Sequence, residues 1–353
     1  MATPDKTTLR RSLPIWFVPL AALIVLVAFT IVYELAVKGR SDFISPENLL
    51  NIMRQWSFVG IIAVGMTFVI ILGGIDLSVG SLVAMIGGLG ILTLNAAMKI
   101  SGESSGGECL AVVIAFIVML LIGTGAGLVN GILVTRGRIA PFIATLGGLA
   151  AFRSIALALA DGGEYRSQSA AWFSELGTGG IPIPFTNVAP TSSGKIIPLL
   201  FPWPVLIFLF IAVIGWLLLN RTRYGRYVIA IGCNERAARY SAIHVERIKR
   251  LTYMLAGFCT GVAGALLAGR MNSVSSSTTG MLYELDVIAA VVIGGTRMRG
   301  GAGSVVGTLV GVLILGVIGN MLNLLQVSTY WQGLVKGLII IAAVLLQRAE
   351  RTE

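Results

Sequence analysis

The sequence has little charge, a single histidine and few cysteines. Only 12% of its 353 residues are charged, whereas a soluble domain carries about a quarter, so an ordinary soluble domain is excluded. Cys109, Cys233 and Cys259 are too few and too scattered for a disulfide framework. His244 stands alone, so the spacing typical of a metal site is missing, and we expect no bound metal.

Motifs for catalysis and nucleotide binding are also missing. The stretch SSGKI (residues 192–196) resembles the end of a phosphate-binding loop, but isoleucine stands where Ser or Thr should bind magnesium, and the upstream glycine is absent. No nucleophile and base come together in a predicted cavity, and the basic residues form no aromatic-laced face for nucleic acid. The sequence therefore predicts no enzyme, no resident cofactor and no nucleic-acid partner.

Long apolar runs dominate what is present. The chain is 56% hydrophobic with 44 glycines, and its mean hydropathy is +0.89. Runs of about 20 apolar residues span a bilayer core. We predict an all-α polytopic membrane protein, one transmembrane domain over residues 1–353. About ten spans are expected, at residues 14–37, 57–72, 79–98, 109–135, 139–160, 198–219, 251–269, 285–293 (too short to cross as a straight helix), 304–325 and 330–346.

The distribution of basic residues predicts the orientation. Cytoplasmic loops of membrane proteins are enriched in Lys and Arg. With an inside N-terminus, the inner segments carry 17 Lys and Arg residues and the outer loops carry 7. We therefore expect both termini in the cytoplasm, a cytoplasmic tail at residues 1–13, an outer loop at 161–197 and a cytoplasmic loop at 220–250.

Glycines spaced four residues apart predict close packing between spans. Gly127 and Gly131 form one such pair, and Gly257 and Gly261 form another. Small residues at this spacing let two membrane helices approach closely.

The cytoplasmic loop 220–250 predicts a docking element. It holds eight of the basic residues, which a positive-inside anchor alone would explain. The loop also contains GCNERAARYSAI, where a turn glycine is followed by an asparagine suited to cap a short helix and by two alanines that let another surface approach. The predicted docking residues are Gly232, Asn234, Glu235, Arg236, Ala237, Ala238, Arg239 and Ser241.

The stretch GGIDLSVGS (residues 73–81) places a carboxylate between two apolar runs. We expect Asp76 to accept hydrogen bonds from the amides of Ser78 and Val79 and so to cap the third span. A structural cap is one interpretation, and a rigid joint near the inner gate is a second that includes the first. The predicted hinge residues are Gly73, Gly74, Asp76, Ser78 and Gly80.

Polar residues inside the spans are candidates for a translocation pathway. Arg153 lies midway along the fifth span, and intramembrane arginines usually face a bundle interior or a wet cavity. It either pairs with Asp286 or lines the path. Asparagines in spans also serve as contacts between helices. The predicted pathway residues are Asn130, Phe142, Thr145, Arg153, Glu284, Asp286, Asn320 and Asn323.

Five stretches resemble the permease subunits of ribose-type (carbohydrate uptake class 2) ABC importers. They are AVGMTFVIILGGIDLSVGS, GRIAPFIATLG, TRYGRYVIAIGCNERAARYSAI, YELDVIAAVVIGGT and GNMLNLLQVSTYWQGLVKG, within residues 48–346. The resemblance implies a homodimeric permease of about ten helices in the bacterial inner membrane. It also implies a periplasmic binding protein that delivers a monosaccharide and a cytoplasmic ATPase subunit that binds ATP.

The same resemblance assigns residues 232–243 to the coupling helix that seats in the ATPase. Ala242 stands where the family usually has glycine, and we expect it to stiffen the exit of that helix. Other solutes remain open: a nucleoside, a branched-chain amino acid, a polyol or a furanone signal. An ion-coupled carrier using Asp76 and Asp286, or a scaffold that only recruits a partner, are alternatives of other classes.

Overall fold

The computed structural model describes residues 14, 16–102, 104–168, 171–187, 198–328, 331–335, 337–338 and 341. In these ranges the chain forms α1 (Phe17–Lys38), α2 (Pro46–Ile71), α3 (Val79–Ser101), α4 (Ser105–Thr135), α5 (Pro141–Leu159), α6 (Ala171–Thr178), α7 (Trp203–Arg221), α8 (Arg223–Cys233), α9 (Glu235–Tyr240), α10 (Val245–Met271), α11 (Tyr283–Ile293) and α12 (Val305–Leu324). The same described residues also form four short strands: β1 (Glu164–Arg166), β2 (Gly180–Asn187), β3 (Pro198–Pro202) and β4 (Ser273–Ser275).

Eight helices of the described chain are long and apolar enough to cross a membrane, namely α1 to α5, α7, α10 and α12. The prediction of an all-α polytopic membrane protein is confirmed. The eighth predicted span is α11, whose 11 residues reach only about 16 Å at the helical rise. Most of the tenth, at 330–346, and the whole tail 1–13 lie outside the described residues. The orientation of the termini stays a prediction.

The second span begins earlier than predicted. Ser45 accepts a hydrogen bond from the amide of Asn48 at 3.3 Å, Pro46 occupies the first turn, and the helix then runs unbroken to Ile71. Residues 46–56 thus form the first turns of α2. Their polar side chains delayed the predicted start to residue 57, but α2 is the most buried of the eight candidate spans in the described chain.

Glycines bring α4 and α10 into close contact, as their spacing predicts. A Cβ atom on Gly127 would lie 3.2 Å from the Cα of Gly257 and would also meet the carbonyl of Tyr253. A Cβ atom on Gly123 would meet the carbonyl of Gly257. Because the two backbones touch without side chains between them, this contact holds α10 against the helices that carry the site.

The described residues of the segment 161–197 include two short strands and the helix α6. β1 pairs antiparallel with β4, with Tyr165 opposite Val274, and β2 pairs antiparallel with β3. Tyr165 also donates a hydrogen bond from its hydroxyl to the carbonyl of Ala156 at 2.7 Å. These contacts fix the chain that follows α10 against the C-terminal end of α5.

Two glycine-rich turns meet at the opposite end of the bundle. The amide of Gly301, in the turn between α11 and α12, donates to the carbonyl of Ile71 at 2.8 Å. Gly232, near the end of α8, packs against the same carbonyl so closely that a Cβ atom would clash with it. The start of α9 is therefore seated on the turn that follows α2.

Candidate functional site

A cavity of about 290 Å³ opens between α3, α5 and the start of α11. Its polar lining comes from Ser81, Arg153, Ser277 and Glu284, and the rest of the wall is apolar. Two of the predicted pathway residues, Arg153 and Glu284, are therefore brought together here, although they are 131 positions apart in the sequence. Arg153 lines this cavity, and its role on a translocation pathway stays a prediction.

Arg153 is held in place by backbone carbonyls. Its Nη1 atom donates to the carbonyl oxygens of Ser276 and Thr279, each at 3.0 Å. Both carbonyls belong to the loop after β4, which the β1–β4 pair fixes against α5. Nothing in the side-chain pattern of that loop indicates this role, so sequence reasoning missed it.

Glu284 occupies the opposite wall, in the first turn of α11. Its carboxylate lies against Gly80 of α3, where a Cβ atom would collide with it and with the carbonyl of Gly280. Gly80 was predicted as a hinge residue. The structure shows why this position has no side chain: the space is filled by the carboxylate of Glu284 and by the backbone of the preceding loop.

A second polar cluster lies about 12 Å further along α5, at Thr145. Asp76 is 2% exposed, and its Oδ1 atom accepts hydrogen bonds from the amide and the hydroxyl of Ser78, at 2.9 and 2.6 Å. Asn130 of α4 donates to the same hydroxyl at 2.9 Å, and Thr145 donates to the carbonyl of Ile75 at 3.2 Å.

The expected bond from Val79 to Asp76 is wrong. In the described part of the chain both bonds come from Ser78, because Ser78 is itself the residue that precedes α3 and its hydroxyl turns back onto the carboxylate. The carboxylate therefore stabilises the turn before α3 instead of capping the helix directly. The hinge role of Gly73, Gly74 and this cluster stays a prediction.

The remaining predicted pathway residues lie elsewhere. Asn320 exchanges two hydrogen bonds with Asn48, at 2.7 and 3.0 Å, and so links α12 to the start of α2. Asn323 accepts from Gln332 at 2.9 Å. Phe142 is exposed on α5, and Asp286 lies two residues after Glu284 on α11, outside the residues that line the cavity. Their pathway role stays a prediction.

The predicted docking element is a capped helix, as expected. Asn234 accepts a hydrogen bond from the amide of Ala237 at 3.1 Å, and α9 follows. One detail differs: Ala238 is 4% exposed and faces the protein, whereas Tyr240 is 92% exposed. The outward face of α9 is formed by Arg236, Ala237 and Tyr240. Tyr240 was missed because its aromatic ring suggested no surface role, although it lies one turn after Ala237.

Charged side chains anchor α9 to α10. Glu235 accepts from Lys249 at 2.8 Å and from Arg239 at 2.9 Å, and Arg239 also reaches Glu246 at 3.1 Å. Burial raises the pKa of the Glu235 carboxyl, but the hydrogen bonds from Lys249 and Arg239 outweigh burial and hold this pKa below its ordinary value. Glu235 and Arg239 are therefore anchoring residues more than contact residues.

The exit from α9 needs a left-handed residue. Ala242 has φ of 57°, a conformation that glycine adopts at little cost and alanine does not. The backbone closes there because the amide of Ile243 donates to the carbonyl of Ala238 at 3.2 Å. This geometry is a physical reason for glycine at the position, and Ser241 completes the turn by donating from its hydroxyl to the carbonyl of Ala237 at 3.0 Å.

Comparison with known proteins decides the family. The family described as "Branched-chain amino acid transport system / permease component" matches residues 48–344. The chain belongs to this permease family. The permease is 43% identical over 311 residues to the ribose import permease RbsC of Bacillus subtilis, covering 87% of this chain and 86% of the relative.

Further relatives agree. The permease is 39% identical to the ribose import permease RbsC of Escherichia coli K12, covering 94% and 93% of the two chains. It is 33% identical to the xylose transport permease XylH of the same organism, covering 95% and 92%. No solved structure matches. The protein is an ABC importer permease and a multi-pass protein of the bacterial inner membrane. Importers of this class work with separate ATPase and solute-binding proteins.

Proposed function

We propose that the permease forms the membrane pathway for a monosaccharide delivered by a periplasmic binding protein, with ATP bound and hydrolysed by a separate ATPase subunit. The names of the relatives support a sugar, since they refer to ribose and xylose. The name of the family refers to branched-chain amino acids, so L-leucine is the competing solute. The chain itself carries no catalytic role in this proposal.

The observation that carries the proposal is the outward face of α9. A helix of six residues is fixed to α10 by two ion pairs of Glu235 and Arg239, and it still exposes Ala237 and the ring of Tyr240. A rigid helix with a small residue beside an exposed aromatic suits insertion into a groove of a partner. Since α9 sits on the turns joining α2 to α3 and α11 to α12, movement of the partner would reach both.

A second copy of the permease is proposed to cover a groove of about 320 Å³ between α4 and α5. Asn130 lies in its wall, and in the described chain the Oδ1 atom of this buried side chain has no hydrogen-bond partner. The groove is also lined by the exposed apolar side chains of Val129 and Ile143. A second copy of the permease would pack against these side chains and cover the groove.

The function is tested in proteoliposomes that contain the permease, its ATPase and its binding protein. We expect ATP-dependent uptake of D-ribose or D-xylose, and Ala237→Asp should abolish ATPase association by placing a charge in the docked face. Ala171→Asp, on an exposed alanine of α6 at the other end of the bundle, is the matched control and should keep it. Uptake of L-leucine alone would contradict the proposed solute.

The second copy is tested by cysteine cross-linking. Gly147→Cys on α5 should cross-link two permeases, because a Cβ atom there meets nothing within 4 Å. Gly125→Cys on α4 has equally open surroundings and serves as the control. This variant should remain monomeric on a non-reducing gel. Both are made with the exposed Cys109 and Cys233 replaced by serine. Equal cross-linking of both variants would count against this interface.

A further inference from the structure

We propose that the cavity between α3, α5 and α11 is a binding subsite for the transported solute, and that it recognises adjacent hydroxyl groups of a neutral sugar through Arg153 and Glu284. This inference rests on the proposed function and adds to it the residues and the chemistry of recognition. It concerns the cavity of about 290 Å³ described above.

The opposite charges of Arg153 and Glu284 line one cavity without forming an ion pair. An ion pair would bring a guanidinium nitrogen within 4.0 Å of a carboxylate oxygen, and among the described residues Arg153 and Glu284 form none. Half-buried opposite charges in a membrane protein normally pair, because each alone is costly to hold away from water. A gap kept between them leaves room for a ligand that contacts both.

Backbone groups hold the side chains of Arg153 and Glu284 apart. Nη1 of Arg153 is committed to the carbonyls of Ser276 and Thr279. The carboxylate of Glu284 is confined by Gly80 and Gly280. The two side chains are therefore positioned before a ligand arrives, which lowers the entropic cost of binding.

Arg153 keeps hydrogen-bond donors that the backbone carbonyls do not use. A guanidinium has five N–H groups, and the bonds to Ser276 and Thr279 use only Nη1 of Arg153. Within the described chain Nη2 and Nε of Arg153 have no hydrogen-bond partner, and neither is among the buried atoms that lack one. Both nitrogens are therefore partly exposed to solvent, and Arg153 shares the cavity lining with the acceptor Glu284.

Separated donor and acceptor groups suit a pair of neighbouring hydroxyls. One hydroxyl accepts from Arg153 while the next donates to Glu284, and each can do so because a hydroxyl is both donor and acceptor. A zwitterionic amino acid would also match the two charges, but full charge pairing at both ends would hold it strongly. A site on a conduction pathway must release what it binds, and hydrogen bonds to neutral hydroxyls are individually weak.

The test measures uptake by the complete transporter in proteoliposomes, with D-ribose and L-leucine as the probes. Arg153→Gln and Glu284→Gln are the variants. Arg166→Gln and Glu164→Gln are the matched controls, since these residues form an exposed outer ion pair at 3.4 Å. We expect each cavity variant to lower D-ribose uptake at least tenfold, while ATP hydrolysis stimulated by the loaded binding protein stays within twofold. The controls should change neither.

Three results would overturn the inference. Unchanged D-ribose uptake in Arg153→Gln and Glu284→Gln would show that the cavity contacts no solute. A parallel fall in ATP hydrolysis or in thermal stability would assign the residues to the fold instead. Wild-type uptake of L-leucine that is lost in the variants would show a zwitterion site. Failure of the proposed function looks different, because wild-type protein would then import no monosaccharide at all.

Discussion

Two groups of charged residues in this permease have opposite arrangements. At α9, Glu235 is within 2.8 Å of Lys249 and 2.9 Å of Arg239, so each charge is matched by a neighbour. At the cavity between α3, α5 and α11, Arg153 and Glu284 lie on opposite walls and, in the part of the chain that is described, form no ion pair. The paired charges fix the position of a helix, whereas the separated ones leave space between them.

A third charged residue, Asp76, shows which features distinguish the charges at the cavity from those at α9. It is more buried than either group, yet it is satisfied by the amide and hydroxyl of Ser78 and has no cation within ion-pairing distance among the described residues. Burial of a carboxylate therefore does not by itself indicate a ligand site. The cavity between α3, α5 and α11 combines three features: opposite charges that form no ion pair, backbone contacts that hold these charges apart, and open volume.

The largest effect is expected from removing the Asp76 carboxylate. Asp76→Ala leaves the amide and hydroxyl of Ser78 without their acceptor, and each buried unsatisfied group costs about 1–3 kcal/mol. The yield of folded permease and its thermal unfolding midpoint should both fall strongly. Unfolding is followed by fluorescence in nanodiscs.

Asp76→Asn is the matched control for that change. Its side-chain oxygen can still accept both bonds from Ser78, so most of the stability should return. If Asp76→Ala unfolds at the wild-type temperature, the cluster is not structural. If Asp76→Asn leaves expression, dimer assembly and uptake unchanged, the hinge hypothesis fails.

The next largest effect is expected at Gly80 of α3, against which the carboxylate of Glu284 lies. A methyl group in Gly80→Ala must displace the Glu284 carboxylate and the carbonyl of Gly280, so sugar uptake should fall at least tenfold. In the control Gly148→Ala, the new methyl lies 3.1 Å from Oδ1 of Asn130 and 3.2 Å from Cβ of Ser78. These atoms need to move only slightly, and uptake should stay within threefold. If Gly148→Ala lowers uptake more than Gly80→Ala does, the space that matters for uptake lies at the Asp76 cluster and not at the cavity.

The sequence predicted the membrane fold well because long apolar runs have a direct physical meaning. It also predicted the cap at Asn234 and the glycine contact of α4 with α10, since capping and small-residue spacing are local properties. It placed the start of α2 late because polar residues near Arg54 broke the apolar run, although neighbouring helices bury most of this segment.

The candidate site was predicted only in part, and the reason is distance along the chain. Arg153 and Glu284 were singled out as intramembrane charges, but their shared cavity depends on the pairing of β1 with β4 and on the carbonyls of Ser276 and Thr279. Every residue has a backbone carbonyl, so the sequence does not show which carbonyls accept hydrogen bonds from Arg153. Asn320 was misleading for the opposite reason, since an amide that bonds another amide looks the same in sequence as one that faces a pathway.

A smaller effect is expected from breaking the paired group at α9. Glu235→Gln and Lys249→Gln should each lower stability by no more than about 1 kcal/mol, because partly exposed ion pairs contribute little. The double variant should cost less than the sum of the two single changes, since they share one contact. ATPase association is measured together with thermal unfolding. Strict additivity in this cycle would mean that the pair does not position α9.

The smallest effect is expected from pH, and its sign follows from Glu235. The pKa of this carboxyl lies below its ordinary value of 4.5 because the hydrogen bonds from Lys249 and Arg239 outweigh its burial. Its contribution to stability is therefore complete above pH 4.5 and is lost as the pH falls through the lower folded-state pKa. The difference in unfolding temperature between wild type and Glu235→Gln should stay constant from pH 8 to pH 6 and shrink below about pH 4.5. If this difference in unfolding temperature changes between pH 8 and pH 6, another titrating group acts on the ion pairs that anchor α9. The ion pairs of Glu235 would then depend on that group as well as on Lys249 and Arg239.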